Sequence, residues 1–350
     1  MKKNIYQFLL FAALLFSFSE VMLAGNPDRQ GESGAYELLL NPWARSSGLH
    51  SMTTSCVSGA EAMFLNVAGI GRGSDTDIAI GHSRLYEGTG ISLNAVSISQ
   101  KLKGGGALGI AINAVDFGTI NVTTTNQPEG SGATFSPTFF NIALGYSQTF
   151  ANKISVGVLF KGIIESTSDV SATGFALDAG VQYVSGEKDE FKFGISLKNV
   201  GSKMNFGGQG LTQSRANPGG NYTYNLTYES RTAAFELPSQ LNIGASYDFL
   251  LGRMHRLTVV GNFTSNAFSR DQLGGGIEYG FGDFLMLRGG YRQELSYDKA
   301  TSSLYTGVCA GASLDIPVKK EGGNKLGIDY AYLPTNPFNG SHHLTIRIGL

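Results

Sequence analysis

Long apolar runs are nearly absent from this chain. Beyond the first two dozen residues, no stretch approaches the roughly 18 to 20 apolar residues that a spanning helix needs, which excludes a helical membrane protein. Charge is also scarce. Asp, Glu, Lys and Arg make up 15% of 350 residues and nearly cancel, to a formal net charge of -1, so nothing points to a nucleic-acid partner. There is a single Trp, and the only two cysteines, Cys56 and Cys309, lie far apart in sequence. Residue type alone leaves open whether they pair or are simply two small buried residues. The five histidines are scattered without a nucleophile motif, so no Ser/His/Asp arrangement is in view and an enzyme is not expected.

Glycine is abundant instead, at 48 residues, and aromatics reach 11% through 22 Phe and 15 Tyr. That balance fits a β protein rich in tight turns better than a helical one. Residues 1–24 have the layout of an export signal: Lys2 and Lys3, an apolar core from Phe8 to Phe18 too short to span a bilayer, then Met22-Leu23-Ala24.

The remainder alternates with period two. LNIGASYDF sets Leu241, Ile243, Ala245, Tyr247 and Phe249 against Asn242, Gly244, Ser246 and Asp248, and the closing SHHLTIRIGL sets Leu344, Ile346, Ile348 and Leu350 against His343, Thr345, Arg347 and Gly349. Fourteen such segments occur between Ile78 and Leu350. Most are about nine to eleven residues long, enough for a tilted strand to cross a bilayer. No amphipathic helix is available to cover their apolar faces. The expected fold is therefore an all-β transmembrane antiparallel barrel over 77–350, with lipid against Leu241, Ile243, Tyr247, Leu344, Ile346 and Ile348.

The connections agree. Those after even-numbered segments are short, whereas long ones fall near 118–139 and 200–240, as in a barrel that alternates periplasmic turns with outside loops and keeps both termini in the periplasm. Residues 25–76 precede the first strand and are expected to form a hatch in the barrel mouth.

Charges facing lipid near the midplane would cost about 2 to 4 kcal/mol for each Arg or Lys, so the charged residues of the strands must face inward. This group comprises Lys161, Asp178, Lys192, Lys198, Asp248, Arg256, Glu278, Arg288, Asp315, Asp329 and Arg347. It reads as a neutralising network in a plugged lumen, with a charged conduit as the other reading. The inward rows are otherwise mostly Gly, Ser and Asn, which predicts a filled polar interior and not a greasy tunnel. In the 200–240 loop, Phe206, Tyr222, Tyr224 and Tyr228 are candidates for a protein-binding surface. Gly104 to Gly109 satisfies GxGxxG, but no helix follows to receive a phosphate. Adjacent His342 and His343 point to opposite faces of a strand and make a poor metal pair. No cofactor is expected.

AYELLLNPWARSSGLHSMTTSCVSGAEAMFLNVAGIGR resembles the N-terminal region of the PorV/PorQ family of Bacteroidetes outer-membrane proteins, part of the wider FadL-like class. FGISLKNVGSKMNFGG, GGGIEYGFGDFLMLRGGYR and LGIDYAYLPTNPFNGSHHLTIRIGL carry the same likeness. The resemblance implies a fourteen-stranded barrel of the outer membrane with a hatch containing Asn66, Ala68 and Gly69. Val67 stands here where family members usually have Pro, and the chain ends in Leu350 where such barrels commonly end in Phe. It further implies a non-enzymatic role in type IX secretion, docking to the outer-membrane translocon or to the C-terminal signal domains of secreted cargo. The alternative within the same class is a FadL-like transporter of hydrophobic small molecules.

Overall fold

A computed structural model describes residues 26–217, 224–252, 254–282, 284–295, 304–317 and 324–350. In chain order the strands begin with β1 (Thr76–Arg84), β2 (Ser92–Lys101) and β3 (Gly106–Asp116), followed by a small hairpin of β4 (Ile120–Asn121) and β5 (Thr134–Phe135). Next come β6 (Thr138–Phe150), β7 (Ile154–Thr167), β8 (Val170–Ser185) and β9 (Phe191–Gly201), then a second hairpin of β10 (Thr212–Ala216) and β11 (Asn225–Glu229). The rest are β12 (Gln240–Leu250), β13 (His255–Asn266), β14 (Gln272–Phe281), β15 (Leu285–Glu294), β16 (Val308–Pro317), β17 (Lys325–Leu333) and β18 (Ser341–Gly349). Without the two hairpins, fourteen strands close into one antiparallel ring, sealed where β1 meets β18 with Ile78 opposite Ile348 and Ile80 opposite Ile346. No helix among the described residues is long and apolar enough to cross a membrane.

The expected segments fall on the fourteen barrel strands to within a few residues, with two departures. β7 and β8 run further and pair out to Thr167 and Val170, because Ser166, Thr167 and Ser171 are polar on both faces and leave no hydrophobic alternation to read. The segment expected to start at Tyr305 becomes a barrel strand only at Val308, and Tyr305 forms an isolated bridge with Thr335 instead.

One row of each strand faces out. Leu241, Tyr247, Leu344 and Ile346 are exposed and Ile243 and Ile348 half-buried, on a wall whose other outward residues include Val158, Phe160 and Leu177. A continuous apolar belt of this kind is stable against lipid and not against water.

The inward row is small because the N-terminal segment occupies the lumen. Short helical turns at Tyr36–Leu39, α1 (Ala44–Ser47), Gly59–Phe64 and Val67–Arg72 carry Trp43, Met63, Phe64, Val67 and Ile70, which pack on Ala79, Ala95, Ala111 and Ala143 of the strands. Fully burying a large apolar side chain stabilises by roughly 1.5 to 3 kcal/mol, so these few residues dock the segment strongly. Gly157 marks the closest approach: a Cβ there would lie 2.7 Å from the Val67 carbonyl carbon.

The segment also fixes the direction of the chain. At one end, Asn26 N–H donates to Ser269 O at 3.2 Å and Gly34 N–H to Glu236 O at 3.0 Å, both in loops at the long-loop end. At the other, Leu350 and Thr76 exchange backbone hydrogen bonds at the short-turn end. Asn26, the first described residue, and Leu350 therefore sit at opposite mouths, with the lumen between them.

Candidate functional site

The interior has three levels, and the lowest holds most of the charge. Arg347 on β18 reaches Asp329 at 2.6 Å and Asp315 at 2.8 Å on the two preceding strands. Glu278 collects Arg256 at 2.9 Å, Arg288 at 3.1 Å and Arg45 at 3.5 Å, while Lys192 pairs with Asp248. Arg45 belongs to α1, so this network ties the luminal segment to the wall. Beside it, Glu61 is buried with one carboxyl oxygen lacking a hydrogen bond, and burial pushes its carboxyl up to about 7 despite nearby Arg347.

The middle level holds the segment against the strands. Asn66 Nδ2 donates to the carbonyls of Thr54, Val181 and Ile195 at 2.8, 3.2 and 3.3 Å, and Asn66 Oδ1 accepts from Ala68 N–H at 3.2 Å. One side chain thus satisfies backbone groups of the segment and of two barrel strands. Gly69 lies against the Val57 carbonyl, with no room for a side chain. The turn at Val67 is held by this asparagine and by Val67's own burial.

A bulge builds the third level. Leu177 pairs with Val200 and Ala179 with Leu197, so Asp178 alone stands opposite both Lys198 and Asn199. Asn199 takes the left-handed conformation at φ 60° and both residues point inward. Asp178 accepts from Asn199 N–H at 2.7 Å and pairs with Lys161 at 2.6 Å, and Lys161 also donates to Asn199 Oδ1 at 2.8 Å. Lys161 is thereby held by two partners, whereas Lys198 lines a cavity.

That cavity, about 620 Å³, lies between the segment and the long-loop end of the barrel. Leu40, Phe64 and Leu65 line it from the segment, and Leu85, Ile91, Val115, Phe117, Phe139 and Leu333 from strand ends and loops. Phe117 and Phe139 meet edge to face at 4.8 Å between ring centroids. Polar groups stand at its sides: Lys198, the carboxyls of Glu37 and Glu165, and the imidazoles of His50 and His343. Both imidazole Nε2 atoms and one oxygen of each carboxyl are buried without a hydrogen-bond partner. Burial, reinforced by Glu165, pushes Glu37 up to about 8, and burial with Arg292 nearby holds His50 well below the usual imidazole range. Such a space can hold an apolar body and orient it by a few hydrogen bonds.

The prediction of a filled polar interior is corrected at this level, where a cavity with a mixed lining remains. The inward rows are small and polar along most of their length as expected, but they end in Val115, Phe139 and Leu333 at the long-loop end, and the luminal segment adds Leu40, Phe64 and Leu65. Alternation could have found Glu165, which shares its face with Lys161. No local signal marks Glu37 or His50.

Among the loop candidates, Tyr224 and Tyr228 are exposed on the hairpin of β10 and β11, while Phe206 packs against Phe235 at 5.7 Å instead of presenting its ring. Tyr222 lies outside the described residues. Cys56 and Cys309 are unpaired, and no group of His, Cys, Asp and Glu among the described residues is arranged to hold a metal.

No known family profile and no curated protein matches the chain. Solved structures share its fold. The CymD monoaromatic hydrocarbon channel superposes with a TM-score of 0.56 at 14% identity, covering 89% of this chain and 97% of that one. A TodX monoaromatic hydrocarbon channel mutant gives 0.51 at 11% identity, covering 87% and 97%. A FadL homologue of Pseudomonas aeruginosa gives 0.50 at 12% identity, covering 87% and 96%. At these identities the likeness establishes a FadL-like fourteen-stranded barrel and nothing finer.

Proposed function

We propose that this protein is a non-enzymatic outer-membrane barrel that takes up small hydrophobic molecules through the cavity at its long-loop end, with the long loops outside the cell. The observation that carries this reading is the cavity itself: about 620 Å³, lined by aliphatic and aromatic side chains interspersed with polar ones, over a floor made by the luminal segment. A volume of that order accommodates a one- or two-ring hydrocarbon. The fold it shares with channels named for monoaromatic hydrocarbons supports the same reading.

Equilibrium dialysis of the purified barrel against radiolabelled naphthalene tests it. Saturable binding is expected, weakened about tenfold in Phe139→Trp, where the larger ring takes up cavity space. Binding that does not saturate, or that ignores the substitution, would overturn the proposal.

A second reading keeps the type IX secretion role drawn from the PorV/PorQ resemblance. It is favoured by the exposed Tyr224 and Tyr228 on a hairpin that projects from the barrel, since tyrosines are enriched at protein interfaces. Affinity capture from native outer membranes separates the two. Recovery of a translocon barrel or secreted cargo, lost when both tyrosines become serine, supports docking; capture unaffected by that change counts against it.

A further inference from the structure

We propose that the outer wall of β2, β1, β18 and β17 binds the phosphorylated sugar headgroup of an outer-leaflet glycolipid. The proposal rests on the orientation given above, with the long loops outside. Side-chain direction on this wall is fixed from within: Ser83 is buried and bonded to the equally buried His343, and a Cβ on Gly81 would meet Trp43 in the lumen. His82, Arg84 and His342 therefore point outward. Arg84 stands opposite His342 on one side and Ser92 on the other, and His82 opposite Asn94.

These groups are already arranged. His82 Nδ1 lies 2.8 Å from Asn94 Oδ1, and the Tyr330 hydroxyl 2.7 Å from His342 Nδ1, fixing both rings on the outer surface. Arg84 is exposed and has no ion pair among the described residues. Below this polar row the same strands turn apolar, through Ile80, Val96, Tyr330 and Leu344 to Ile346. An arginine on the lipid face is tolerated near the interface, at about 0 to 1 kcal/mol, and not at the midplane. Arg84 thus lies at headgroup height.

A planar guanidinium without a carboxylate partner matches a phosphate, which it can hold through two parallel hydrogen bonds. Its strand neighbours Asn94, Tyr330 and the imidazoles match sugar hydroxyls, and the Glu87 carboxylate, 3.7 Å from His342 Nε2, adds a further acceptor for a hydroxyl beside them. A phosphorylated glycolipid offers both at that depth. The site is separate from the luminal cavity, with the barrel wall between them.

Native mass spectrometry of the full-length barrel, delipidated in detergent and titrated with diphosphoryl lipid A, tests the proposal. Retention of one lipid is expected, about tenfold weaker for Arg84→Gln and for dephosphorylated lipid A. Equal retention of the dephosphorylated lipid, or no effect of Arg84→Gln in a barrel that still migrates as folded on unheated gels, would overturn it. So would full displacement by equimolar inorganic phosphate, which would mean a free-phosphate site. An epitope placed in the 200–240 loop reads orientation separately on intact cells. If it is hidden, the outer-leaflet assignment fails while naphthalene binding is untouched.

Discussion

Glu37 shows what burial does to a single residue in this molecule. It is 6% exposed, faces Glu165, and has its carboxyl raised to about 8. Because the folded chain holds this proton more tightly than the unfolded chain does, the associated stability is complete below about pH 4.5 and declines as pH rises toward 8. Hydrogen exchange in residues 33–40 is expected to speed up between pH 5 and 9, beyond the intrinsic pH effect, and Glu37→Gln is expected to flatten that response. Asn66 acts by geometry instead. Asn66→Ala leaves carbonyls of the segment and of β8 and β9 without their side-chain donor and should cost about 1 to 3 kcal/mol, read as earlier proteolysis of the luminal segment. Its importance was legible only through the family resemblance, because nothing beside it in sequence distinguishes Asn66 from other loop asparagines. Glu37 was not legible at all, since its partner lies on β7, far along the chain.

At the scale of elements, strands were legible wherever hydrophobicity alternated and unreadable where both faces were polar. That is why the ends of β7 and β8 extend past the reading, and why β10 and β11 were hidden in an expected loop. The bulge in β9 was hidden for another reason. Alternation assumes one residue per step, and it places Lys198 inward without indicating that Asn199 turns inward beside it. The knot of Lys161, Asp178 and Asn199 depends on that extra residue. Lys161→Met leaves Asp178 buried without its cation and should destabilise by about 3 to 5 kcal/mol, seen as a lower temperature for the gel-mobility shift on heating. Adding Asp178→Asn should recover part of the loss, because it removes the uncompensated charge.

At the scale of the whole molecule, a spin label at Ile346 is expected to report lipid and one at Thr345 a water-poor interior, since Ile346 is exposed on the outer wall and Thr345 fully buried. Labels reporting water at Ile346 would contradict the outward assignment. Removing residues 26–75 should raise ion conductance across a planar bilayer, because the luminal segment fills the space between small inward side chains. The cavity is a property of this scale alone. Its lining joins Leu40, Leu85, Val115, Phe139 and Leu333, residues separated by most of the chain, so no window of sequence contains it.

The opposite positions of Asn26 and Leu350 bear on how the barrel is assembled. Residues 26–75 run through a ring whose last seam, β1 to β18, joins strands more than 250 residues apart. Contacts that distant form late, after the loops between them have closed. The strand sheet must therefore curl around a strand of chain already lying along its inner face, and the seam acts as a clasp fastened over a threaded cord. A chain that zipped first would face the far harder task of passing Trp43 and Phe64 through a closed ring.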